Sequence, residues 1–257
     1  MTKGSARLVF DVRGPLLEAA RACEAEVFLQ WYGNTREQLD QEYGPFDASS
    51  VFLALVDHRS YVIGTCRVIV PGAAGLKTLR DLSAPPWDLD PVRSAEVANV
   101  NLSTTWDVAT LGVRSGLVGN GKMAAAALYH GLIQATRAND VSCLVSVLDE
   151  RVRTLLRSVG VVTHPMPGAT TEAYLGSAAS TPVYGKMPQS LGTWRRIAPE
   201  AYRLIAMGSG LDGIDVPDLD QFRLRPRTVP LIDLTDAENV AGSVQLDADV
   251  VGGAHVG

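Results

Sequence analysis

The sequence predicts an α/β (α+β) domain: a twisted mixed β-sheet flanked by helices, followed by an irregular C-terminal tail. Three observations carry that expectation. The β-rich runs "SVFLALVD" and "YVIGTCRVIV" are separated only by the polar "HRS", which reads as an antiparallel hairpin. Further on, strand-like "TWDVATLGVR", helical "KMAAAALYHGLIQATRAND" and apolar "VSCLVSVLD" follow one another as a βαβ unit, whose strands run parallel. From Gly210 onward Asp, Gly and Pro replace periodic apolar residues. One domain over residues 1–210 is therefore expected, with an acidic, mostly irregular extension over 211–257.

Each element has its own signal. "GPLLEAARACEAEVFLQWYG" is a helix: Pro15 suits a first helical position, Leu16, Ala19, Ala20, Cys23, Val27 and Phe28 share one face, and Gly33 ends it. "TREQLDQEYGPFD" reads as a short polar helix and then a turn at Gly44–Pro45. After the hairpin, "GLKTLRDL" makes a helical turn. The span from Ser83 to Ser103, with three prolines, reads as an irregular surface or lid loop. Beyond the βαβ unit come the helix "ERVRTLLRSVG", stopped by Gly160, a last strand at "STPVYGKM", and a final helix interrupted near Pro199.

Composition excludes several classes. At 46% hydrophobic and 20% charged the chain is ordinary for a soluble globular protein. Its longest apolar runs fall far short of the roughly 20 residues of a membrane span, and the N-terminus lacks a secretory pattern, so a cytoplasmic protein is expected. Net charge is −5. Nine acidic residues against three arginines lie beyond Leu211, so the remainder is almost neutral and gives no drive to bind nucleic acid. Cys23, Cys66 and Cys143 show no CxxC spacing and the four histidines no HxxxH pairing, which points away from a metal.

Between the βαβ strand and its helix lies "RSGLVGNGKM". Gly116, Gly119 and Gly121 leave bare N–H groups that can converge, and the following helix start carries unpaired N–H groups and a partial positive charge. Lys122 opposes that dipole and is easier to explain with an anion present. Arg114 supplies a fixed cation. The loop is neither a P-loop nor a GxGxxG fingerprint, so it is either an anion cradle or a glycine-rich connector.

The strand, the loop close to (Arg/Gln)-x-x-Gly-x-(Gly/Ala) and the helix, strand and Gly-stopped helix that follow resemble the GNAT superfamily of acyl-CoA-dependent N-acyltransferases. Gly119 and Gly121 fall on the motif's glycines, while Gly116 takes its leading Arg or Gln place. The resemblance implies that N–H groups from Leu111 and Val113 through Arg114, Gly119, Asn120, Gly121, Lys122 and Met123 bind an acyl-CoA, or the pantetheine arm of an acyl-carrier protein. No metal is implied. Over about residues 15–187 the chain also resembles the autoinducer (acyl-homoserine lactone) synthase branch and the related N-acyl amino acid synthases: Asp47 and Arg67 match its Asp turn and its G-x-x-R strand, and Asp107 stands for a Glu. Glu24 and Thr110 stand where the lactone-forming branch carries arginines. An amine other than S-adenosylmethionine is therefore the expected acceptor. The remaining readings are a lactone synthase and a catalytically silent acyl-CoA binder, and a homodimer is compatible with any of them.

Acyl transfer from a thioester to an amine needs a base for the ammonium and donors for the oxyanion. Asp107 is the first candidate base and Glu96 the second. Asp47, Arg67 and Ser146 are candidates for binding the acceptor. Each has a plainer alternative: a strand-start Asp bonded to backbone, a surface ion pair, a strand Ser bonded to a carbonyl. Leu156 stands four residues before Gly160, where most GNAT enzymes place a Tyr acid. A thiolate is a tolerable leaving group without one.

Overall fold

The computed structural model describes residues 6–115 and 121–225. Its strands are β1 (Ala6–Phe10), β2 (Ser50–Asp57), β3 (Val62–Ile69), β4 (Thr105–Val113), β5 (Cys143–Asp149), β6 (His164–Pro165), β7 (Glu172–Tyr174), β8 (Ser177–Lys186) and β9 (Ile214–Asp215). The helices are α1 (Pro15–Tyr32), α2 (Arg36–Tyr43), α3 (Lys77–Leu82), α4 (Pro91–Val97), α5 (Gly121–Ala138), α6 (Glu150–Ser158), α7 (Met187–Ile197) and α8 (Pro199–Met207). One mixed sheet runs β6-β8-β5-β4-β3-β2-β1-β9, with β7 also on β8. Among the described residues only β4–β5 and β1–β9 pair in parallel.

β2 and β3 read as continuous apolar runs because both faces of the sheet are covered. On one face α1 lays Ala20, Cys23 and Val27 against Phe52, Ala54 and Val62. On the other, α5 packs Ala127, Leu128 and Leu132 against Leu8, Leu53, Leu55 and Val68. The alanines of α5 let it approach closely, and at Gly131 even an added Cβ would come within 2.5 Å of Leu8. A third apolar cluster, with Leu39, Tyr43, Phe46, Leu76, Trp87, Val145 and Met166, fills the space under α2 and α3.

The hairpin, the βαβ unit and the helix boundaries agree with the sequence reading. α2 begins with a Thr35–Gln38 capping box, Gly33 closes α1 at φ 73°, and Pro199 divides α7 from α8. Several features differ from it, the short β6 and β7 among them. β1 escaped notice because "ARLVF" is short and has no turn signal before it. The span 83–103 is not structureless: Asp90 caps α4 by accepting from Val92 and Arg93 N–H. Trp87 Nε1 donates to Thr170 O and Ser94 Oγ to Pro167 O, so this strap is tied to the far side of the sheet. Finally, the compact body runs to Leu224 rather than ending near residue 210. Phe222 is wholly buried against Phe10, β9 extends the sheet, and Asn139 bonds both Phe222 O and Leu224 N–H. An apolar anchor of one aromatic residue leaves no periodicity to read. The apolar "VPLIDL" lies outside the described residues.

Gly176, in the turn between β7 and β8, has φ +80°, and a Cβ there would fall onto the carbonyl oxygen of Tyr32 at the end of α1. Gly176→Ala is expected to cost at least about 2 kcal/mol through left-handed strain and displacement of that backbone. Urea unfolding measures it; a loss under about 0.5 kcal/mol would show that the turn and α1 do not meet this closely.

Candidate functional site

β4 and β5 pair over only three residues, Thr105↔Cys143, Trp106↔Leu144 and Asp107↔Val145. Beyond that point β4 continues along β3 and β5 along β8, so the sheet opens into a wedge. Ser146 Oγ spans the start of the gap, donating to Val108 O at 2.8 Å. β4 is bulged: Arg67 pairs with Thr110 and Val68 with Val108, leaving Ala109 extra, and Tyr43 OH donates to its carbonyl at 3.4 Å. Arg114 N–H donates to Ile63 O on the β3 side. Alternation along the strand then turns the N–H groups of Val113 and Leu111 toward the open side.

Asp107 sits at the apex of the wedge, 1% exposed. Thr78, in the first turn of α3, donates its backbone N–H to one carboxylate oxygen (2.5 Å) and its hydroxyl to the other (3.0 Å). Burial pushes the Asp107 carboxyl up to about 7 against the opposing pull of those two bonds, with Asp81 adding to the rise. A carboxyl poised there can take a proton from an ammonium near neutral pH. Sequence reasoning found Asp107 but not Thr78, which lies 29 residues away with nothing in its own segment to single it out.

Next to Thr78, Lys77 is buried among four oxygens: both of the Asp81 carboxylate at 2.9 Å, Glu42 at 3.3 Å and the Tyr174 hydroxyl at 2.5 Å. The Tyr43 and Tyr174 rings flank its ammonium at 5.3 and 5.2 Å, and Tyr174 OH donates to Asp81 at 2.6 Å. This clasp fixes α3 to α2 and to β7, holding Thr78 over Asp107. The i,i+4 spacing of Lys77 and Asp81 was the one available sequence signal. A cleft of about 330 Å³ opens over the clasp, bordered by Gln41, Glu42, Arg80, Asp81, Pro85 and Tyr174.

A second polar cluster lies over the other end of β4. Arg67 and Glu24 are each 2% exposed and form a bidentate pair, Nε to Oε1 at 3.0 Å and Nη2 to Oε2 at 2.6 Å. Thr110 Oγ1 donates to Glu24 Oε1 at 2.5 Å. The two positions read only as departures from a resemblance thus meet as one buried network. The Arg67 guanidinium lies between the Tyr43 and Phe52 rings, 4.5 and 4.7 Å from their centroids. Asp47, 42% exposed, reaches Arg21 at 3.1 Å and Arg67 Nη1 at 3.7 Å.

The other candidates lie apart from these clusters. Glu96 is on the outer side of α4, its side chain 64% exposed and 3.9 Å from Arg93. The Arg114 side chain is held by Val62 O, Glu26 and the Tyr61 ring. Leu111, Val113 and Met123 turn their side chains into the α5 core, and Lys122 is exposed in the first turn of α5. Gly116, Gly119 and Asn120 lie outside the described residues; Gly121 opens α5. His130 packs in the core with Nδ1 2.8 Å from Ile205 O. Among the described residues no three His, Cys, Asp or Glu side chains are grouped to hold a metal, and no helix is long and apolar enough to cross a membrane.

No protein-family model and no curated protein matches the chain. Solved structures do. FeeM, an N-acyl amino acid synthase from uncultured soil microbes, superposes with a TM-score of 0.54 at 14% identity, over 79% of this chain and 98% of its own. BjaI, a CoA-dependent acyl-homoserine lactone synthase solved with SAM and isopentyl-CoA, superposes at 0.53 and 15% identity, over 85% of this chain and 97% of its own. The chain therefore shares the mixed α/β fold of these two proteins and spans nearly the whole length of both.

Proposed function

We propose that the protein is an N-acyltransferase that moves an acyl group from a thioester, acyl-CoA or acyl-carrier protein, to the amino group of a small acceptor. The observation that carries this reading is the buried Asp107 carboxyl at the point where β4 and β5 part. An extended thioester arm entering the wedge meets the Leu111 and Val113 N–H groups, the bulge at Ala109, and a base held by Thr78. The start of α5, with Gly121 and Lys122, stands at the same end of β4 for the donor's phosphates. Fold neighbours described as acyl-homoserine lactone and N-acyl amino acid synthases support the reaction class.

Asp107 takes the ammonium proton, the free amine attacks the thioester carbonyl, and the nitrogen releases its second proton to solvent as the C–S bond breaks and the amide forms. The thiolate leaves and is protonated by solvent. The acceptor is an amine other than S-adenosylmethionine, since Glu24 and Thr110 make the far end of β4 a neutralised network rather than a pair of free arginines. Purified protein with acetyl, medium-chain and long-chain CoA or carrier-protein thioesters and mixed amines should release thiol and yield N-acyl products by mass spectrometry. Acyl-homoserine lactone as the main product would overturn the acceptor reading. Tight thioester binding with no thiol release from any donor would overturn catalysis itself.

A further inference from the structure

The short helix beside the base carries a buried charge that the transfer itself does not use. Lys77 and Thr78 share a peptide bond in the first turn of α3, and the N–H of that peptide is the one that donates to Asp107. The Lys77 side chain is 5% exposed, with its ammonium held by both Asp81 oxygens at 2.9 Å, by Glu42 Oε2 at 3.3 Å and by the Tyr174 hydroxyl. Packing alone does not call for this ammonium, since Leu76 and Leu82 already anchor both ends of α3 in the apolar cluster. Taking a lysine and a carboxylate out of water is costly, and apolar residues of similar volume often serve stability as well.

The charges gathered around Asp107 give the ammonium a purpose. α3 supplies Lys77 and Asp81, while its Arg80 is exposed and turns out over the Phe46 ring. α2 supplies Glu42 and Tyr43, β7 supplies Tyr174, and burial keeps both phenols neutral. On β3, Arg67 is already matched by Glu24. Ionising Asp107 therefore puts a third carboxylate near Asp81 and Glu42, with the Lys77 ammonium as the cation they share. Burial and Asp81 push the Asp107 carboxyl up, while the Thr78 bonds and Lys77 pull it down. Glu42 and Asp81 border the cleft and meet solvent there, whereas Asp107 is 1% exposed and depends on a cation fixed beside it.

We propose that Lys77 is a positioning residue of the acyl transfer: clamped by Asp81, Glu42 and Tyr174, its ammonium offsets the carboxylates near Asp107 and sets the pH at which Asp107 begins to act as a base. This rests on the acyltransferase reading. Tyr174 ties β7 into the same control, because its hydroxyl bonds both Lys77 and Asp81.

The test needs no substrate at first. The Asp107 carboxyl is titrated by ¹³C spectra of aspartate-labelled protein, its signal assigned by its loss in Asp107→Asn. Lys77→Met should move the midpoint up by about one pH unit, and Asp81→Asn should move it down. The acid limb of kcat/KM, measured with the thioesters and mixed amines above, should follow each midpoint. A rise of one unit from about 7 lowers the Lys77→Met rate about fivefold at pH 7, and raising the pH to about 9 restores it. Lost packing alone would slow both variants at every pH without moving their midpoints in opposite directions. Should Lys77→Met fail to fold, Lys77→Met combined with Asp81→Asn removes the pair together, and its midpoint should lie above that of Asp81→Asn. Midpoints within about 0.3 pH units of wild type, or displaced with one sign in both variants, would overturn the role of Lys77. A rate limb that ignores the midpoint would overturn it as well, since the base would then lie elsewhere. Midpoints that move as expected while no donor and amine react would keep the hold of Lys77 on Asp107 and overturn the acyltransferase reading instead.

Discussion

Replacing Asp107 by Asn is expected to lower turnover at least tenfold, or about 1.4 kcal/mol of barrier, without unfolding the protein. The amide is isosteric and can still accept from Thr78 N–H, whose bond to the carboxylate is 2.5 Å. The pH dependence carries the mechanism. With its carboxyl raised from 3.8 to about 7 by burial, Asp107 is deprotonated only as pH climbs through neutrality, so kcat/KM for wild type should rise with pH and level off above about 7. That limb should vanish in Asp107→Asn. Stability supplies a check that needs no substrate. A carboxyl raised in the folded state contributes stability in full below pH 3.8 and loses it as pH rises through about 7. Wild type should therefore weaken relative to Asp107→Asn across that window. An unchanged rate limb in the variant would place the base elsewhere.

Glu24→Gln should be the most destabilising of these substitutions. Arg67 is 2% exposed, and losing the carboxylate strands its charge between Tyr43 and Phe52 with only Asp47 near it. Breaking one side of such a buried pair costs about 3–5 kcal/mol, which in a body of this size lowers the melting midpoint by roughly 10 °C. Glu24→Gln combined with Arg67→Met removes the stranded charge and should recover most of the loss. A single-variant loss under about 1 kcal/mol would mean that solvent reaches the pair. Because Glu24 also accepts from Thr110, the thermal readout should be repeated with Thr110→Val, where a neutral donor is lost and a smaller effect is expected.

Legibility in the sequence followed the range of each interaction. α1, α2, the hairpin and the βαβ unit were readable because caps, periodicity and apolar runs act within a few residues. β1 and the 211–224 segment were not, since a five-residue strand and one buried Phe222 owe their places to distant partners. The candidate site divides in the same way. Arg67, Asp47 and Asp107 stood out through a resemblance, Asp107 also as a carboxylate at a strand start. Thr78, Lys77, Tyr174 and Arg21 have ordinary local surroundings and acquire roles only when α3, β7 and α1 come together over β4. Glu96 drew attention as an acid in a proline-rich loop, yet a helix turns it outward. Glu24 was visible only as a missing arginine; that it would find Arg67, 43 residues on, is a fact of how α1 crosses β3.

The three-pair junction between β4 and β5 has a consequence for how such a protein can change. It divides the sheet into two leaves that share little backbone. The acceptor candidates Arg67 and Asp47, with Glu24, Thr110 and Arg21 around them, belong to α1, the 44–49 turn, β3 or β4, on the leaf that contains the hairpin. The opposite leaf, β5 with β8 and its short neighbours, contributes Ser146, whose hydroxyl is already bonded to Val108 O. Substitutions separated in this way should combine nearly additively. Acceptor preference can then drift by exchanging charges on one leaf while the other wall of the wedge stays as it is. The fold is in effect a socket with one replaceable jaw.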